Sequence, residues 1–488
     1  MSGHDRLVVE LTARWPEHRI GPGLAREQAL VDLLGHPERS CPVIQVAGTN
    51  GKGSTAIMVE SLLRSAGLRV GRYSSPHLVD VTERICVDGE PISHDDFDAL
   101  WEQVAPMVAM VDGQRIDGIE MTFFEVLTAM AFAAFADAPV DVAVVEVGLG
   151  GRWDATNVAD AAVAVVTPVA LDHTHILGPT LDLIAAEKAG IIKPGSVSVI
   201  AGQSAEAAPV LLAQCADVGV TPLLEGRDFG LLERRPGLGG QVIRVQTASG
   251  PLGELHLPVL GEHMAHNAAQ AVAAAEALTG PMSGEVIAEG LASVVAPARL
   301  EVVRRDPLVV IDTFHNPHGA RSAMAGMAEA FSPEPLVAVM AAMGDKDVDS
   351  VMAEMVETVD QVVVTTLDGV PRSLSVEAIA ELAGHHWSTE QVHTAPDVAT
   401  ALRSAMDLAV AAGPQAGVLV AGSVVLAGRA RELLVDPARD RHPTQPGVVV
   451  ESPDLTDEEV AALEGHPLDV VDDDPDPDQS ASPWGEPW

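Results

Sequence analysis

Apolar residues recur along this chain as short continuous runs bounded by glycine, proline or acidic residues, and between these runs they fall on one face of longer stretches with helical spacing. The runs at 43–47, 142–147, 162–166, 197–201, 309–312, 337–341, 362–365 and 418–421 have the length and β-branched content of strands buried on both faces. Segments 55–65, 122–135, 266–277, 350–359 and 398–411 carry the helical pattern. Strands alternating with helices predict a doubly wound α/β architecture built on parallel sheets. A Gly- and Pro-rich stretch at 234–253 reads as an irregular or antiparallel excursion, and 294–299 is the expected hinge. The expected domains are 1–296 and 297–440, followed by 441–488 as an acidic, disordered tail.

Composition supports two cores. At 488 residues and 47% hydrophobic content the chain exceeds one ordinary domain and has ample apolar surface to bury. The apolar stretch 126–147 is interrupted by Asp137 and Asp141, and 408–428 is broken by Gly413, Pro414 and Gln415, so neither reads as a membrane span. The N-terminus lacks a charged-then-apolar secretory pattern. Cys41, Cys86 and Cys215, odd in number and widely spaced, argue for a reducing compartment, with cytoplasm as the expected location. A net charge of −41 repels nucleic acid and anionic membranes, so neither is an expected partner. Thirteen acidic residues and no Lys or Arg lie in 451–488.

Among 29 basic residues only Lys52, Lys188, Lys193 and Lys346 are lysine. An ammonium is a compact charge whose amine can react or lose its proton, which a guanidinium cannot match, so the surviving lysines are enriched in chemical necessity. The first of them stands in Gly48, Thr49, Asn50, Gly51, Lys52, Gly53, Ser54, between a strand and a helix. Glycines let the backbone wrap a polyphosphate, the helix N-terminus aims N–H groups at it, and Lys52 adds charge near the β- and γ-phosphates of ATP. The spacing departs from the usual phosphate loop, with the first glycine closer and Gly53 where a Ser or Thr normally follows the lysine. The first domain is therefore expected to be phosphate-loop-NTPase-like, and the second a smaller Rossmann-like α/β domain.

This spelling resembles the loop of the Mur ligase superfamily and, with Gly53 and Ser54, its folylpolyglutamate synthase/dihydrofolate synthase branch; matching motifs run from about residue 20 to about residue 435. Tyr73-Ser74-Ser75-Pro76-His77-Leu78 resembles the family's substrate loop, which makes Ser75 a magnesium ligand by resemblance. Glu146 ends an apolar strand before Gly148, at the sheet edge where open α/β sheets bind ligands, and is a second expected ligand. His173, in Asp172-His173-Thr174-His175, is the third by resemblance; a His-x-His pair could also suggest zinc. Lys188 resembles the family's carbamylated lysine. The segment after Gly151 departs from the family in Trp153, bulky where an aliphatic residue is expected. Asn267 is the family's adenine contact, Arg299 at the hinge could clamp phosphates, Asp312 is expected to contact ATP, and His315 to lie near the incoming glutamate. Thr122, Phe123, Phe124 and Glu125 resemble the pterin-pocket segment, and Ser423, after Gly422, a late glutamate-side element; Met343-Gly344-Asp345-Lys346-Asp347 resembles another family segment.

The resemblance implies a monomeric ATP-dependent ligase using one or two magnesium ions, with a monovalent cation as a further candidate. It would phosphorylate a carboxylate of folate or dihydropteroate and let the amine of L-glutamate attack the acyl phosphate, with Lys188 and His315 as catalytic groups. A single-activity folylpolyglutamate synthase and another Mur-type amino-acid ligase stay open. So does a nucleotide-binding ATPase without ligase chemistry, which would need the phosphate loop but no reactive lysine.

Overall fold

The computed structural model describes residues 2–14, 23–237 and 239–435; the expected acidic tail lies outside them. The larger sheet contains β1 (Val43–Ala47), β2 (Val70–Tyr73), β3 (Ile85–Val87), β4 (Glu90–Pro91), β5 (Val142–Glu146), β6 (Val163–Val166), β7 (Val197–Ile200) and β8 (Leu223–Leu224). Their order is β4-β3-β2-β5-β1-β6-β7-β8, parallel from β2 to β8 and antiparallel at the β2–β3 and β3–β4 pairs. A second, antiparallel sheet holds β9 (Gly230–Gly237), β10 (Gly240–Thr247), β11 (Gly250–Pro251) and β12 (Leu255–Leu257), which resolves the expected excursion into regular strands beginning a few residues earlier.

The third sheet is formed by β13 (Glu301–Arg305), β14 (Leu308–Ile311), β15 (Leu336–Met340), β16 (Gln361–Val364), β17 (Val392–Thr394) and β18 (Gly417–Ala421), in the order β13-β14-β18-β15-β16-β17. Only β13 runs antiparallel, paired to β14. The β13–β14 pair starts directly after the expected hinge.

Both large sheets are buried on both faces, as continuous Val/Ile/Ala runs require. Alternate residues of β1 face opposite cores. Ile44 and Val46 pack with the helices Lys52–Ser65 and Glu262–Thr279 and with Ile243 and Leu255 of the antiparallel sheet, whereas Val43 packs with the helix Phe123–Asp137. The expected helix 350–359 ends sooner, as Val348–Met355, followed by a turn at 356–358. The 21-residue helix His94–Gln114 escapes the sequence pattern because Pro106 interrupts it; in the structure one face, Phe97, Leu100, Val104, Val108 and Val111, is still buried. No helix among the described residues is long and apolar enough to cross a membrane.

Near the start of the chain, Arg26 is only 1% exposed and lies against the Phe123–Asp137 helix. Its Nε donates to both carboxylate oxygens of Glu125 (3.0 and 3.2 Å), and Nη1 donates to Asp117 (2.9 Å). Removing one partner from a buried pair leaves an uncompensated charge. Arg26→Ala is therefore expected to cost on the order of 3–5 kcal/mol, read as a lower urea midpoint; an unchanged midpoint would show that Glu125 finds another partner or protonates at little cost.

Candidate active site

The carboxyl ends of the two parallel sheets face each other, and every loop singled out in the sequence emerges there. The glycine-rich loop follows β1, Ser75 follows β2, Glu146 closes β5 and Asp172–His173 follow β6; from the other sheet, Asp312 follows β14, Lys346 follows β15 and Ser423 follows β18. A cavity of about 1140 Å³ lies between them, with a smaller one of about 440 Å³ beside it. Ser75, His173 and His315 line both, so the two share a wall.

The loop Gly48–Ser54 owes its path to glycine. Gly48 has φ 147°, and a Cβ there would lie 1.8 Å from Thr167 Oγ1. Gly51, at φ 88°, would bring a Cβ within 2.8 Å of Asn267 Oδ1. Gly53 explains its own departure from the common spelling: a Cβ would sit 3.3 Å from Glu146 Oε2, so a hydroxyl-bearing side chain would crowd that carboxylate. Lys52 Nζ folds back to donate to the carbonyls of Gly48 and Thr49, both at 3.2 Å.

Glu146 is 5% exposed and accepts from the Ser75 amide at 3.3 Å; burial raises its pKa, opposed chiefly by the charge of Lys52. His173 is held down to about 3 by burial and by the charge of Lys346, which keeps the imidazole neutral. Lys188 ends the helix Leu181–Lys188, is 4% exposed and donates to Gly48 O at 2.8 Å. Burial, reinforced by Lys52, brings its pKa down to about 7, so roughly half its amines are neutral near that pH.

Asp172 lies where the sheets meet. Oδ1 accepts from Lys346 Nζ at 2.7 Å, Oδ2 accepts from Asn316 Nδ2 at 3.0 Å, and His315 Nε2 stands 3.5 Å from Oδ2. Burial alone would raise this carboxyl, but bonding to His315 and the charge of Lys346 hold it well below the usual range. Asn316 and Asn50 exchange side-chain amide bonds at 3.0 and 3.2 Å, and Lys346 Nζ also lies 3.0 Å from His173 Nε2. Asp172, Asn316 and Lys346 were given no role by motif reading. The scarcity of lysine was the available signal for Lys346. The same scarcity has a structural answer at Lys193, which ties down Asn157 O and Ala159 O at 2.7 and 2.9 Å.

Asn267 and Arg299 line the larger cavity. Arg299 is flanked by two non-glycine residues of positive φ, Ala298 (52°) and Leu300 (46°), a strained junction held by Glu301 on the Ala298 amide (2.7 Å) and Asp312 on the Leu300 amide (2.9 Å). Asp312 also accepts from Phe314 N at 2.8 Å, and burial raises its carboxyl against the charge of Arg299.

The smaller cavity is lined by Thr122, Phe124, Glu125, Trp153, Asp154 and Ser423, among others. Thr122 and Glu125 form a capping box, and Ser423 caps the helix Val424–Leu434 through Val425 N at 3.2 Å. Phe123 is the one expected site residue that lines neither cavity. One step along the helix from Phe124 turns it into the core, with the Arg84 guanidinium 5.1 Å from its ring centre. Asp154 follows Trp153 in the segment after Gly151. Buried and pushed up to about 6, it accepts from Leu149 N (2.9 Å) and Thr156 N (3.0 Å).

Residues 97–275 match the Mur ligase middle domain and 298–424 match the Mur ligase glutamate ligase domain. The dihydrofolate synthase/folylpolyglutamate synthase of Mycobacterium tuberculosis is 46% identical, covering 88% of this chain and 93% of its own length. That of Escherichia coli is 36% identical, covering 81% and 89%. The structure resembles M. tuberculosis folylpolyglutamate synthase complexed with ADP (TM-score 0.86, 44% identity, 89% and 98% coverage) and E. coli FolC in complex with DHPP and ADP (0.78, 32%, 90% and 99%).

Asp172 gathers three groups from the far side of the cleft, and each charge-assisted bond carries about 1.5–3 kcal/mol. Asp172→Ala is expected to open the cleft, raising the radius of gyration in small-angle scattering of the ligand-free protein. Superimposable curves would place the hold between the domains elsewhere.

Proposed function

The chain belongs to the dihydrofolate synthase/folylpolyglutamate synthase family of the Mur ligase superfamily, and we propose that it joins L-glutamate both to tetrahydrofolate and to dihydropteroate at the cost of ATP. The observation that carries this reading is the pair of cavities sharing one wall, one edged by the phosphate loop and the other by Thr122, Phe124 and Glu125. The E. coli neighbour, in complex with DHPP and ADP, supports a site that takes a second small molecule beside the nucleotide, and the smaller cavity is the room this chain offers for it. We place the domain boundary at 296/297, between the two matched spans, so that 1–296 handles ATP and folate and 297–440 handles glutamate.

In this reading ATP lies in the larger cavity with its phosphates on Gly48–Ser54 and its adenine toward Asn267. An acceptor carboxylate oxygen attacks the γ-phosphorus, the bond to the β-phosphate oxygen breaks, and ADP departs. Glutamate's amine then attacks the acyl carbon and phosphate leaves. His315, set between both cavities with Asp172 behind it, takes the proton that the amine loses. Lys52 and Arg299 stabilise the charge that develops on the transferring phosphoryl group.

The donors Ser75, Glu146 and His173 fit a magnesium ion: a hydroxyl, a buried carboxylate and a neutral imidazole leave positions for water and phosphate oxygens. When bound, the ion supplies positive charge against the polyphosphate and acyl phosphate. Lys188 is proposed to react with carbon dioxide. Its neutral nitrogen bonds the carbon and sheds a proton, which leaves an anionic carbamate beside the phosphate loop. Because the amine titrates near 7, carbamate formation is expected to rise as pH climbs through that value.

With ATP, magnesium and glutamate, ADP release is expected with both tetrahydrofolate and dihydropteroate and not without an acceptor. Release with only one acceptor would reduce the enzyme to a single activity. With 13C-labelled bicarbonate, a carbamate carbonyl resonance is expected that strengthens from about pH 6 to about pH 8 and vanishes in Lys188→Arg; no such resonance at either pH would leave Lys188 an unmodified amine.

A further inference from the structure

The smaller cavity has two sides of different character. The first domain contributes Thr122, Phe124, Trp153 and Asp154, and the second contributes Asp345, Lys346, Arg372 and Ser423. The second set falls inside the span matched to the glutamate ligase domain, 298–424. Resting on the ligase reading above, we propose that Arg372 selects the incoming amino acid by holding the side-chain carboxylate of L-glutamate.

The place of Arg372 is fixed first by its backbone, in the loop between β16 and the helix Val376–Ala383. The carbonyl of Arg372 accepts from the Gly344 amide at 2.9 Å, Leu374 N donates to Ala342 O at 3.0 Å, and Met343 and Ser373 form a bridge pair. The loop is thereby laced to the segment after β15 that carries Lys346. Ser373 Oγ accepts from Leu367 N at 2.9 Å, which closes the loop on itself, and Arg429 of the helix Val424–Leu434 donates to Asp368 O. Arg372 thus hangs from a loop held on two sides by elements that line the same cavity.

The side chain is aimed as well. Arg372 Nη1 donates to Asp345 Oδ2 at 3.0 Å, which engages one corner of the guanidinium and sets its plane. The Nε–Nη2 edge bonds nothing among the described residues, and such an edge presents two parallel N–H groups that match the two oxygens of a carboxylate. With 41% of the side chain exposed, a ligand in the cavity can reach it.

Position separates the two carboxylates of glutamate. The amine must reach the acyl carbon at the wall shared by both cavities, where Ser75, His173 and His315 stand. The α-carboxylate is one carbon from the amine and stays near that wall, beside Lys346, whose Nζ is 3.0 Å from His173 Nε2. The other carboxylate lies the length of the side chain further out, and Arg372 is the arginine that the second domain places there, lining the smaller cavity and not the larger. Glutamine in the same place offers a single acceptor oxygen, no charge, and an amide N–H₂ turned toward a donor edge.

The test is steady-state turnover of the full chain with ATP and magnesium, varying glutamate, glutamine, ATP and each acceptor in turn. Arg372→Gln is expected to raise the KM for glutamate roughly 10- to 100-fold, to leave the KM for ATP and for dihydropteroate unchanged, and to lower the preference for glutamate over glutamine. Arg372→Lys, which keeps the charge and loses the two-pronged edge, should fall between them. Loss of kcat/KM in equal measure for glutamate and glutamine would put Arg372 on the α-carboxylate, and a rise confined to the KM for tetrahydrofolate would put it on the acceptor's own glutamyl chain; either overturns the assignment. Wild-type turnover with glutamate keeps the two readings apart. Without it the ligase reading falls and this one with it, whereas a working wild type and an unchanged Arg372→Gln overturn the role of Arg372 alone.

Discussion

Asp172 stands at the point where two parallel sheets present their carboxyl edges to one another, and its carboxylate gathers Lys346, Asn316 and His315 from across the cleft. A carboxylate removed from water needs such partners, because an unpaired buried charge is far costlier than the pair is favourable. The demand is met only when the second domain closes on the first. Closure then sets the rest of the site: it brings Lys346 onto His173, pairs Asn50 of the phosphate loop with Asn316, and puts His315 on the wall between the two cavities.

Within the first domain the constraint is space. The phosphate loop runs so close to Thr167, Asn267 and Glu146 that glycines stand at 48, 51 and 53 for two reasons: left-handed turns against side chains at 48 and 51, and clearance beside a carboxylate at 53. The same crowding accounts for Lys188. Its amine lies on Gly48 O, sealed from water and near the charge of Lys52, and a buried ammonium so placed gives up its proton near neutrality instead of far above it. Packing of the loop and the lowered pKa of the lysine are thus one arrangement.

The chain's near-exclusive use of arginine turns its four lysines into markers. Lys52 and Lys188 converge on the carbonyl of Gly48, Lys346 joins the domains, and Lys193 ties three acceptors around Asn157. Each position uses a compact, single-headed donor that a planar guanidinium could not replace in the same volume.

The amino-acid sequence by itself determined the eight central parallel strands β1, β5, β6, β7, β14, β15, β16 and β18, the α/β class and the local shape of the phosphate loop, because these follow from short-range causes: β-branched apolar runs, glycine φ angles and the strand–turn–helix order. It also indicated Glu146, which closes a strand legible in the pattern; Ser75 and His173 are reached through the family resemblance alone, and Lys188 through that resemblance and the scarcity of lysine. Tertiary structure alone decided that Lys346 meets Asp172 across 174 residues and that Arg26 is sunk against Glu125 across 99. It also decided that Phe124 faces the smaller cavity while Phe123 faces the core. The physical reason is shared: periodicity records which face of an element is apolar, but which polar group waits opposite that face is settled by how the sheets are brought together, and no local pattern carries that information.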